Sequence, residues 1–154
     1  MDDRISHLEE VIDAYVQQKG GRRISFVQEH LDEVAEYAAM IAEKRGLDVD
    51  LARMSGMLHD IHTLTEGYMT GHALPGSQIA RALLADTGIV DDDELEIICT
   101  AVANHSKKRR IDDAYSEVLK DADTLSHNAG GPISYVADKE RARYARLREE
   151  FDLG

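Results

Sequence analysis

Apolar residues recur along this chain at steps of three and four, the period of amphipathic helices, and alternating β-type runs are few. Residues 2–17 place Ile5, Leu8, Ile12 and Val16 on one stripe, broken by Gly20-Gly21. A second stripe over 25–45 carries Val27, Leu31, Val34, Ala38 and Ile41, and Gly46 closes it. A third helix is predicted from Asp48 or Asp50 as N-cap to about Ile61. Residues 62–74 have no clear period and read as a loop, after which Pro75 opens a fourth helix ending at Gly88. Asp91 and Glu94 have capping-box spacing and start a fifth, which ends near His105. The KKRR run at 107–110 reads as a basic loop, a sixth helix covers about 112–127, and Pro132 suits the first turn of a last helix over 132–150. The expected architecture is one all-α domain over residues 1–154, a helical bundle of six or seven helices without repeats or linkers.

Composition adds limits to that picture. Of 154 residues, 43% are hydrophobic and 31% charged, a globular balance that disfavours disorder. No apolar run approaches the roughly 20 residues a membrane span needs. The acidic, amphipathic start MDDRISHLEE does not resemble a signal peptide. One cysteine, Cys99, leaves no internal disulfide, and the expectation is a reducing cytoplasm. A formal charge of −12 opposes nucleic acid and anionic membranes as partners. It would oppose a phosphorylated small molecule too, unless bound cations invert the local field.

Several polar residues fall on or beside apolar stripes. His30 lies between Val27 and Val34, His105 ends the stripe of Leu95, Ile98 and Val102, and Asp121 sits between Val118 and Leu125. His59 and Asp60 end the third helix. A single inward histidine is most simply a hydrogen-bonded core residue, but a set of imidazoles and carboxylates from four helices points to a shared cation. Without thiolates, the donors suit a borderline divalent transition metal better than a structural zinc site. The donors lie tens of residues apart, so such a site assembles only on folding.

His30, the pair His59-Asp60 and Asp121 follow an H…HD…D order that resembles the HD-domain metal-dependent phosphohydrolases. The contexts LHDI at 58–61 and LKDADTL at 119–125 strengthen the likeness, which covers a motif-bearing core of about 24–128. His72 in GHALPGSQIA and His105 in VANHSKK make the layout similar to binuclear members such as the bacterial diadenosine-tetraphosphate hydrolases. The resemblance implies metal ligands His30, His59, Asp60, His72, His105 and Asp121, with two ions per chain and Asp60 shared between them. Iron, manganese and zinc all stay open. Asp123 lies close to Asp121 in sequence, but Asp121 fits the apolar stripe and the motif position better.

Two adjacent ions would turn a water into a hydroxide nucleophile and neutralise phosphoryl oxygens. The implied activity is hydrolysis of a phosphate ester or anhydride of a small phosphorylated substrate, a nucleotide or relative. The alternative is a metal-containing nucleotide-binding or regulatory module without turnover. His62 is a candidate general acid or a solvent-facing neighbour. Lys107 and Lys108 are candidate phosphate clamps or part of a solvated loop. His7 and His127 read as surface residues. The charge-rich 138–150 segment reads as a solvated helix face that could also serve a homodimer.

Overall fold

The computed structural model describes residues 3–67, 75–128, 131 and 133–153. These residues form an all-helical bundle with no strand among them. Its elements are α1 (Asp3–Gln18), α2 (Ser25–Arg45), α3 (Val49–Leu58), α4 (Ile61–Glu66), α5 (Gly76–Leu84), α6 (Asp92–Asn104), α7 (Ala114–Asn128), a 3-10 turn (Ile133–Tyr135) and α8 (Asp138–Glu150). The seven longer helices answer to the seven that the hydrophobic pattern predicts.

Several boundaries follow the local chemistry. Gly46 closes α2 in the left-handed conformation, at φ 73°, which a residue without Cβ adopts at no steric cost. The Asp48 side chain caps α3 by accepting from the Asp50 and Leu51 amides. Asp91 and Glu94 form the reciprocal capping box of α6. Other boundaries differ from expectation. The third helix stops at Leu58, Asp60 leaves helical geometry (φ −130°, ψ 35°), and the chain resumes at Ile61 as short α4, which continues to Glu66 within the expected loop. The fourth helix ends at Leu84, before Gly88, and the last begins at Asp138 after the 3-10 turn. Pro132 lies outside the described residues.

The apolar stripes meet in one core that includes Leu8, Val27, Val34, Met54, Leu58, Ile98, Leu119 and Leu125. Helix α7 runs through it, packed against α2, α3, α6 and α8. Eight consecutive residues, Val118–Leu125, are therefore buried, the charged ones included. No helix among the described residues is long and apolar enough to cross a membrane.

Helices α2 and α3 pack closely at Gly56. A Cβ added there would lie 2.7 Å from the Ala35 Cα and 2.8 Å from its amide nitrogen, against backbone that cannot swing aside. Gly56→Ala is expected to force the two helices apart and to lower stability by about 1–3 kcal/mol, despite the better helix propensity of alanine. Chemical denaturation measures this, and an unchanged midpoint would refute the close packing. The crossing also sets how near two histidines stand, because α2 carries His30 and α3 leads into His59.

Candidate metal centre

His59 stands at the break between α3 and α4, 1% exposed. Its Nδ1–H donates to the Gly56 carbonyl at 2.7 Å, so its Nε2 turns away from its own helix. There it meets His30 Nε2 at 3.3 Å. His30 is held in the same sense. The Ser126 hydroxyl donates its one proton to Glu33 at 2.6 Å and so accepts from His30 Nδ1 at 2.9 Å. Both rings thus present Nε2 to the same space.

Asp123, from α7, completes that space. Its Oδ1 lies 3.0 Å from His30 Nε2 and 3.6 Å from His59 Nε2. This oxygen is buried yet accepts no well-directed hydrogen bond. Two imidazole lone pairs facing one another beside a buried, unsatisfied carboxylate oxygen repel unless a cation lies among them. Asp60 adds a second carboxylate, with Oδ2 3.7 Å from His59 Nε2. His30, His59 and Asp60 together, and His30, Asp123 and His127 together, bring their donor atoms within 4.8 Å of one another. The donor set is that of a borderline divalent ion, and these residues fit one.

His105 caps α6, with Nδ1 bonded to the Val102 carbonyl at 2.7 Å and Nε2 3.6 Å from Asp60 Oδ1. The two Asp60 oxygens therefore face different histidines. Asp123 carries the electrostatics of the cluster. Burial alone would raise its pKa, but His30, His59 and Lys108 outweigh this and hold it far below the ordinary carboxylate range. Burial likewise disfavours a charged His59, yet Asp123 and Asp60 outweigh it and raise its pKa. At His105 burial wins, reinforced by His59, and its pKa is lowered.

Two of the expected site residues stand elsewhere. Asp121 does not face the histidines. Its oxygens are taken by Arg143 at 2.8 Å and Arg45 at 2.7 Å, on the opposite side of α7. Two residues along a helix turn the side chain by about 200°, and it is Asp123 that reaches the imidazoles. Lys108 is not a free phosphate clamp. It is 5% exposed, with Nζ 2.8 Å from Asp123 Oδ2 and 3.1 Å from Glu140. Lys107 is exposed. His62 is half-buried, with Nδ1 3.3 Å from Glu66. His72 lies outside the described residues. His127, read as surface, stacks parallel on His30 with ring centroids 5.2 Å apart. Its spacing of four from Asp123 was the available signal, since it places both side chains on one face of α7.

An all-helical bundle with a histidine–carboxylate centre between its helices defines a candidate metalloprotein. The chain belongs to the HD domain family, whose sequence profile matches residues 27–128. That membership, with this donor cluster, supports a metal-dependent hydrolase. Curated relatives include Ribonuclease Y of Opitutus terrae, 32% identical over 71% of this chain and 20% of that protein. Ribonuclease Y of Clostridium novyi is 30% identical over 80% of this chain and 23% of its own length. That of Pseudothermotoga lettingae is 46% identical over 36% of this chain and 11% of its length. The chain thus spans less than a quarter of the length of these relatives. No solved structure matches it significantly.

Proposed function

We propose that the chain is a metal-dependent phosphohydrolase that cleaves a phosphate ester or anhydride of a nucleotide or related small molecule. The observation that supports this most is the buried Asp123 oxygen, unsatisfied and surrounded by His30, His59 and Asp60. Divalent ions held there, whether iron, manganese or zinc, would polarise the phosphoryl group and acidify an attacking water. Asp60, with one oxygen toward His59 and the other toward His105, is the residue through which two ions would share a ligand. His72 would then serve the second ion. His59 and His105, fixed through Nδ1 by backbone carbonyls, would keep Nε2 unprotonated toward the site. His62, with Nδ1–H directed to Glu66, would serve as general acid only as the imidazolium, giving its Nε2 proton to the leaving oxygen. Exposed Lys107 would meet the outer phosphate.

A small substrate is favoured over a long polyanion by the charge of −12 and by how the cations are used. Lys108, Lys120, Arg143 and Arg45 are all committed to internal carboxylates. A second reading, cleavage of an RNA phosphodiester, is favoured by the name Ribonuclease Y that the relatives carry.

A phosphate-release screen over mononucleotides and dinucleoside polyphosphates, with manganese, iron or zinc, run beside labelled RNA, separates the readings. Release from small nucleotides with RNA left intact is expected. RNA cleavage that weakens steeply with salt selects the second reading. Bound metal with turnover of neither substrate would refute both and leave a metal-containing binding module.

A further inference from the structure

We infer that His127 is an additional ligand of the metal centre, so that α7 supplies an imidazole as well as the Asp123 carboxylate. The inference rests on the proposed metal site and extends it by a residue outside the H…HD…D pattern.

His127 follows Asp123 by four residues and so overlies it on the same face of α7. Its Nδ1 lies 3.0 Å from Glu140 Oε2, and Glu140 is 3% exposed. A carboxylate that accepts from Nδ1–H fixes both the ring orientation and the tautomer, leaving the Nε2 lone pair for a ligand. Glu140 is itself fixed by Lys108 at 3.1 Å and Asn128 at 2.9 Å. The support therefore includes buried Glu140 and Lys108, although the His127 side chain itself is 46% exposed.

The position of Nε2 is the telling feature. It lies 3.4 Å from Asp123 Oδ1, the oxygen that accepts no hydrogen bond. The contact is thus not a directed N–H···O pair, and the two atoms border a common space instead. His30 Nε2 borders it from the other side, 3.0 Å from the same oxygen, with its ring parallel to His127 within 1°. Three histidines, His30, His59 and His127, thus approach one carboxylate oxygen, each with Nδ1 held by a separate acceptor. The competing account makes His127 an imidazolium that bridges Asp123 and Glu140. Lys108 already supplies a buried cation to both carboxylates, through Asp123 Oδ2 and Glu140 Oε2, and leaves only Oδ1 unsatisfied.

The test compares wild type, His127→Ala, His127→Gln and, as a ligand control, His30→Ala. Cobalt and manganese affinities are measured by calorimetry, and the imidazole count of the cobalt-loaded proteins by X-ray absorption. Both His127 variants are expected to bind at least roughly tenfold more weakly, beyond the lower end for loss of an outer-shell partner. The cobalt centre should also lose one imidazole. Because the side chain is half exposed, thermal unfolding of the metal-free variants should stay near wild type, which excludes a folding defect. Wild-type affinity and an unchanged imidazole count in both His127 variants would overturn the inference alone. Failure of the wild-type protein to bind either ion would overturn the metal site itself.

Discussion

Asp123→Asn is expected to empty the metal site, whereas Asp121→Asn, two residues away on the same helix, should leave it loaded. The amide of asparagine preserves the shape of Asp123 but removes the negative charge that His30 and His59 surround. Metal content should fall below one ion per chain, and any hydrolytic kcat/KM should drop at least roughly a thousandfold, about 4 kcal/mol of transition-state stabilisation. Asp121 instead offers its two oxygens to Arg143 and Arg45. Its replacement leaves one buried and one half-buried guanidinium short of a partner each, although Arg143 retains Glu117 and Arg45 retains Glu150. That variant should lose stability and keep its metal. Elemental analysis and thermal unfolding on the same preparations decide the matter. An Asp121→Asn protein that loses its ions while Asp123→Asn keeps them would reverse the assignment.

Why the pattern of residues selects Asp121 is a matter of geometry. A stripe identifies the inward face of a helix only when the helix also has an outward face. Along Val118–Leu125, α7 has none, since neighbours bury it all round. Both aspartates of KDADT are therefore inward, toward opposite partners, and the period cannot rank them. His30, His59, Asp60 and His105 are legible because they border or end stripes on helices that retain a solvent side. Lys108 is hidden in sequence for a different reason. KKRR reads as a solvated loop, and three of its four residues are exposed, but the turn directs Lys108 inward onto Asp123 and Glu140. Short α4, with two threonines in six residues, carries too little periodicity to be distinguished from a loop.

Lys108→Met tests the buried charge balance behind the site. In the metal-free protein, Lys108 Nζ is the cation between Asp123 and Glu140, at 2.8 and 3.1 Å. Methionine fills similar volume but leaves the two carboxylates facing one another in a buried setting, with only the His127 and Asn128 hydrogen bonds left on Glu140. Removing one side of a buried ion pair costs roughly 3–5 kcal/mol, which for a chain of this length lowers Tm by roughly 10 °C. A divalent ion at Asp123 would replace part of the missing charge, so manganese should raise Tm more in the variant than in wild type. The pH response carries the same signature. Burial alone would raise the Glu140 pKa, but His127, Asn128 and Lys108 pull it down to about 2. A carboxylate depressed in the folded state contributes stability above its unfolded value of about 4.3 and loses it as the pH falls toward 2. Wild-type Tm should therefore fall across that window, and the slope should be shallower in Lys108→Met, whose Glu140 has lost its lysine partner. Thermal melts from pH 2 to 7, with and without manganese, provide the comparison. A variant that melts with wild type throughout would show that solvent, not Lys108, balances Asp123 and Glu140.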